Sequence, residues 1–226
     1  MKRKIRRISA LAVSIAIVVL AAIAVAPEIT PSPQHGSPSG QLDSAAAALE
    51  NILVKGRAPK TEYSREQFGS GWATVNGCDT RNIILYRDLQ EPQLDEECRV
   101  MSGVLDDPYT GMTIQFSRQQ SSAVQIDHVV ALSDAWQKGA QQLEREARVQ
   151  FANDPLNLLA VDGPANQQKG DGDAATWLPE NSSFRCEYIA RQVSIKQKYT
   201  LWVTKAEKQA MAQILSGCPG QVLPTK

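Results

Sequence analysis

Histidine is nearly missing from this chain, with two in 226 residues, His35 and His128. That scarcity excludes the multi-imidazole sites that hold zinc or copper, and it leaves any imidazole acid–base chemistry to one or two positions. Cysteine is sparse too. The four, Cys78, Cys98, Cys186 and Cys218, include no C-x-x-C pair, which argues against a four-cysteine zinc site. Excess positive charge is also lacking. Five of the 24 basic residues (Lys2, Arg3, Lys4, Arg6 and Arg7) precede the first apolar run; the other 19 face 24 acidic residues, a net of −5. A protein of that charge is not a general basic nucleic-acid binder, because such binding draws its affinity from many lysine and arginine contacts to phosphates. Any contact must be local, with Arg65, Arg81, Arg118 and Lys169 as candidates. Beyond residues 8 to 26 no segment is apolar enough to span a membrane.

Residues 125 to 173 hold the one histidine outside a linker-like segment. An imidazole titrates near pH 6.5, roughly, so His128 can accept a proton from water without special tuning. Asp127 beside it offers a hard oxygen of the kind that magnesium, calcium or manganese prefers. The pair lies in the apolar run from Ala123 to Leu132, which reads as a strand. Successive strand side chains point to opposite faces, so a bulge, twist or strand end is expected near 127 and 128 if both are to meet one phosphate. Leu158 to Val161 reads as a second short strand, and Asp162 as the cap of a helix with Pro164 in its first turn. Asn166 and Lys169 then share one helix face, where an amide oxygen can reach a metal and an ammonium a phosphate.

Asp127-His128, Asn157-Leu158 and Asn166-Gln167-Gln168-Lys169-Gly170, in that order, resemble the HNH nucleases with their ββα-metal motif. More narrowly, DHVVAL, NDPLNLLAV and ANQQKGD resemble secreted bacterial proteins related to the C-terminal nuclease domain of GmrSD-type restriction enzymes, over about Tyr63 to Cys218. The resemblance implies that His128 activates the attacking water and that Asn157 braces the loop between the strands. It implies that Asp127 and Asn166 hold one divalent cation, Mg2+ or alternatively Mn2+, and that Lys169 contacts phosphate. A similar CDTRN stretch makes Arg81 a substrate-facing or loop-bracing candidate, with Asn82 more suited to structural hydrogen bonding. The chain departs from many family members at Asn166, where a second histidine is common.

In chain order, residues 1 to 26 read as a secretory signal, with an uncleaved anchor as the alternative because Pro27 disfavours cleavage after Ala26. Residues 27 to 42, rich in Pro, Ser and Gly, read as a disordered linker that contains His35. Residues 43 to 226 have the length of one domain. Export to an oxidising compartment makes two disulfides the expected use of four cysteines; three pairings are open, and the local one, Cys78 with Cys98 and Cys186 with Cys218, is expected. A short helix is expected over 44 to 54, with Leu49, Ile52 and Leu53 on its apolar side, and an interrupted helical spacer over 133 to 151. Two closing helices follow, the last opened by a Thr204/Glu207 capping box. Asp106 to Gly111 reads as a turn into a strand over Met112 to Phe116. The tryptophans read as core, except Trp72 in a glycine-rich loop.

The expected fold is α+β, a small ββα-metal core surrounded by helices. The expected activity is an exported, metal-dependent endonuclease acting on DNA, or also RNA, with no obligate protein partner evident and membrane contact only through an uncleaved leader. Two alternatives fit the same residues: a catalytically silent cell-envelope binding module, and a phosphodiesterase acting on another substrate.

Overall fold

A computed structural model describes residues 44 to 224. The leader, the linker with His35 and the anchor question lie outside those residues. The chain runs α1 (Ala45–Glu50), β1 (Thr74–Val75), β2 (Cys78–Asp79), α2 (Thr80–Asp88), β3 (Gln90–Leu94), β4 (Val100–Asp106), β5 (Thr113–Ser117) and β6 (Val124–His128). It continues through α3 (Leu132–Gln137), α4 (Arg145–Ala152), β7 (Leu158–Asp162), α5 (Gly163–Lys169), α6 (Arg185–Lys198) and α7 (Lys205–Ser216). This is the expected mixture of helices and small sheets.

Among the described residues three antiparallel sheets form: β1 with β2, β3–β4–β5, and β6 with β7. The β6–β7 pair runs without a register break from Val124 opposite Asp162 to His128 opposite Leu158. Its alternation sorts the side chains into two cores. Val124, Ile126, Leu158 and Ala160 pack with Ile84 and Leu85 of α2, while Leu159 and Val161 pack with Tyr109 and with Tyr188 and Ile189 of α6. A strand covered on both faces needs a continuous apolar run, and β7 supplies Leu-Leu-Ala-Val. The sequence's strand reading extended to Leu132, but pairing stops at His128. There Val129 donates to the Asn157 carbonyl (2.8 Å) and the chain turns into α3.

The turn from β7 to α5 is tight. Asp162 accepts from the Ala165 amide (2.8 Å), so it caps α5 as its position before Gly-Pro predicts. The Gly163 amide donates to the Ala123 carbonyl (2.9 Å), and a Cβ on Gly163 would collide with the Ser122 carbonyl oxygen. Asp107 serves the same corner. Its Oδ2 closes its own turn on the Thr110 amide (2.7 Å) and its Oδ1 accepts from the Asp162 amide (2.9 Å). The turn expected at 106 to 111 therefore also ties the β4–β5 hairpin to the start of α5.

The disulfides are Cys78–Cys98 and Cys186–Cys218, the local pairing. Thr204 and Glu207 form the capping box of α7. Gly139, with φ +124°, interrupts the spacer between α3 and α4 as expected. Leu53 is the exception to the α1 expectation: the helix ends at Glu50, and this side chain is exposed.

No sequence pattern announced the charges inside the helical half. Lys138 and Lys196, both fully buried, meet Asp134, Asp173 and Glu207, with Lys138 Nζ at 2.7, 2.8 and 2.6 Å from the three carboxylates. Lys196 reaches Glu207 (2.9 Å), and Arg57 closes the group on Asp134 (3.0 Å) and Asp173 (2.7 Å). Three cations, of which Arg57 is partly exposed, face three anions, so their mutual attraction offsets the desolvation penalty of burying them.

Candidate active site

A cavity of about 480 Å³ runs along the outer edge of β6 and is bordered by Gln125, Ile126, Asp127 and His128 in succession. A free strand edge can meet side chains from both faces, and of the irregularities expected near 127 and 128 the strand end occurs, at His128. Asn166, Arg65 and Arg81 border the same space.

His128 is buried, and one ring nitrogen, Nε2, lies 2.8 Å from the Ala152 carbonyl. A carbonyl only accepts, so Nε2 carries the hydrogen and the neutral ring keeps its lone pair on Nδ1. Burial pushes the ring's pKa down to about 3, against the opposing Ala152 bond and with help from Arg65 and Lys169, so the imidazole is uncharged at neutral pH. The indole of Trp72 lies against it, ring centroids 5.7 Å apart and planes 9° from parallel.

Asp127, on the opposite face, accepts from Lys169 Nζ at Oδ1 (2.9 Å) and from the Tyr109 hydroxyl at Oδ2. Burial raises its pKa, and Lys169 and Tyr109 oppose that rise. Each carboxylate oxygen keeps a second lone pair, so both bonds orient Asp127 without exhausting it.

Lys169 is where the structure departs furthest from the sequence reading. Expected at a phosphate, its side chain is fully buried, with the ammonium bonded to Asp127 and to the His128 carbonyl (2.9 Å). The helix face it shares with Asn166 starts at the cavity and continues under the strand. Arg118 is spent on structure as well: it donates to Asn82 Oδ1 and the Val100 carbonyl, each at 3.2 Å. Asn82 accepts from the Val100 amide (2.9 Å), the structural use expected of it.

The remaining candidates fall closer to their expected places. Asn157, wholly buried, accepts from the Val130 amide (2.9 Å) and donates to the Val130 carbonyl (3.3 Å), which fixes the chain just past His128. Asn166 Nδ2 donates to Gln125 Oε1 (2.9 Å), leaving Oδ1 as an acceptor at the cavity. Arg81 reaches the Val124 carbonyl (3.2 Å) while bordering the cavity, so it braces the strand and still faces the open space. Tyr109 and Trp72 were missed as site residues. Tyr109 sits in a turn 18 positions before Asp127 and carries no local signal; only the glycine-rich setting of Trp72 hinted at a special role.

The donors fit one hard divalent cation. Asp127 and Asn166 offer a carboxylate and an amide oxygen on one cavity, and Mg2+ commonly takes few protein ligands, with waters and substrate oxygens completing its shell. No cluster of three or more His, Cys, Asp or Glu side chains placed to hold a metal occurs among the described residues.

Residues 80–214 match the model of the C-terminal domain of GmrSD restriction endonucleases. The chain belongs to that family. The matched span includes β6, β7 and α5, and so Asp127, His128, Asn157, Asn166 and Lys169, and stops just short of Cys218. The chain is also similar to an uncharacterized secreted protein of Arthroderma benhamiae, 38% identical over 193 residues, which are 84% of this chain and 92% of the relative. The two disulfides, each with one cysteine just outside the matched span, suit an oxidising, secreted setting. Among the described residues no helix is long and apolar enough to cross a membrane.

Proposed function

We propose that this protein is an exported, metal-dependent endonuclease that hydrolyses phosphodiester bonds of DNA, and of RNA where the strand is accessible. The observation that supports this most is the meeting of Asp127, His128 and Asn166 on one cavity beside Arg65 and Arg81, carried by two antiparallel strands and a helix. His128, uncharged at neutral pH, accepts the proton of the attacking water at Nδ1 as general base. The Ala152 carbonyl holds the ring in the tautomer this requires. Asn157 fixes the backbone after His128, while Lys169 and Tyr109 fix the Asp127 carboxylate. Arg65 and Arg81 attract and seat the phosphate. When bound by Asp127 and Asn166, Mg2+ or Mn2+ supplies Lewis-acid stabilisation of the charge growing on phosphate.

The test is cleavage of supercoiled plasmid by the oxidised mature protein with Mg2+, Mn2+ or EDTA. Wild type is expected to cut only with metal, His128→Ala to fall by about 10²-fold or more, and Asn166→Ala to need more metal. If folded wild type cuts neither plasmid nor a single-stranded oligonucleotide with either metal, the reading fails. A small chromogenic phosphodiester then separates a phosphodiesterase of other substrates from a silent binding module, which the net charge of −5 beyond the leader would suit.

A further inference from the structure

A second, smaller cavity of about 110 Å³ lies on the Trp72 side of His128. Its floor is Phe68 and Leu132, both buried, and one wall is the half-buried indole of Trp72. Gly69 and Gly71 complete the surround. Both have positive φ, +112° and +155°, and a Cβ on Gly71 would meet nothing within 4 Å, so the backbone there leaves open space. Arg65, His128 and Leu132 border this cavity and the larger one alike, so the two adjoin across the imidazole.

We infer that the smaller cavity is a nucleobase subsite, taking one base of the nucleotide next to the scissile phosphate. This inference rests on the nuclease reading. Its volume suits a single planar ring system rather than a whole nucleotide. Aromatic and apolar walls beside a guanidinium favour a flat π surface, since base–aromatic stacking and arginine contacts hold unpaired bases with little regard to sequence. A phosphate held at Arg65 and His128 in the larger cavity would border the smaller one, because both residues line the two cavities. A base inside a duplex cannot enter, so the subsite selects strands that are single or readily unpaired. Of the two groups against His128, the Trp72 ring then touches substrate, whereas the Ala152 carbonyl only orients the imidazole.

Single-stranded oligonucleotides carrying one abasic residue at successive positions around a cleaved bond provide the test. For wild type, one flanking abasic position is expected to raise KM about 10-fold, with the others near neutral. Trp72→Ala should have that higher KM on the intact strand and lose the dependence on the abasic position, and Trp72→Phe should keep it. A residue that merely props His128 would lower kcat on every substrate alike and leave the abasic pattern unchanged; that result overturns the subsite. Cleavage by wild type that ignores every abasic position overturns it as well, with the nuclease reading intact. No cleavage of any strand with Mg2+ or Mn2+ removes both.

Discussion

An ammonium with no exposed surface is stable only where anions and carbonyls replace its hydration, and Lys169 has Asp127 and the His128 carbonyl in that role. Removing it strands a carboxylate at 5% exposure beside a loosened His128 peptide. Lys169→Met should therefore cost about 3–5 kcal/mol in urea unfolding, and Asp127→Asn in the same chain should return part of it. Asn157→Ala removes both side-chain bonds to Val130 at once. It should cost about 2 kcal/mol and lower kcat more than it raises KM, because it frees the backbone that aims His128. The roles of Lys169 and Tyr109 were not legible in the sequence. A lysine before glycine reads as an exposed helix end, and only the packing of α5 under β6 turns it inward. The bracing role of Asn157 was legible only through the family resemblance, since an asparagine after Asp154-Pro155 reads by itself as a turn residue.

The elements that the sequence foretold are those whose signals are local. Asp162 before Gly-Pro and Thr204 three residues before Glu207 are short-range hydrogen-bond patterns, and both caps form. Thr204→Ala should cost about 1 kcal/mol, read as a lower urea midpoint. The end of β6 was harder to place, since Val129 to Leu132 are as apolar as a strand, and only their burial beneath neighbouring segments explains it. Cys186 at the start of α6 and Cys218 after α7 close a loop of 32 residues. A Cys186→Ser/Cys218→Ser double variant should lose about 3–4 kcal/mol in the chain-entropy model, and dithiothreitol should lower the wild-type midpoint toward it.

At the scale of the whole molecule, the buried charges that join Arg57 to α3, α6 and α7 set the pH range of the fold. Burial alone would raise the Asp173 pKa, but Lys138 and Arg57 outweigh it and hold the pKa below its ordinary value. A depressed carboxylate adds stability that is present above its unfolded pKa, roughly 3.9, and is lost as pH falls through the folded one. Lys196 is the mirror case. Burial alone would lower its pKa, but Glu207 and Asp134 raise it, so its contribution is present below its unfolded pKa, roughly 10.4, and is lost as pH rises through the folded one. Urea midpoints measured from pH 2 to 11 should form a plateau with an acid limb that Asp173→Asn makes shallower, at the cost of a lower plateau. None of this network was legible in the sequence, where its members are spread from residue 57 to residue 207 among ordinary surface-type residues.

Gly163 sets a limit of another kind. Its amide is bonded to Ala123, and even a methyl group there would enter the Ser122 carbonyl oxygen, which belongs to backbone and has no rotamer to yield. The join between strand and helix is thus a place where inheritance has no room to drift. In a library randomised at this codon and sorted for secreted, folded protein, survivors should carry glycine alone, while codon 167 on the exposed side of the same helix stays permissive.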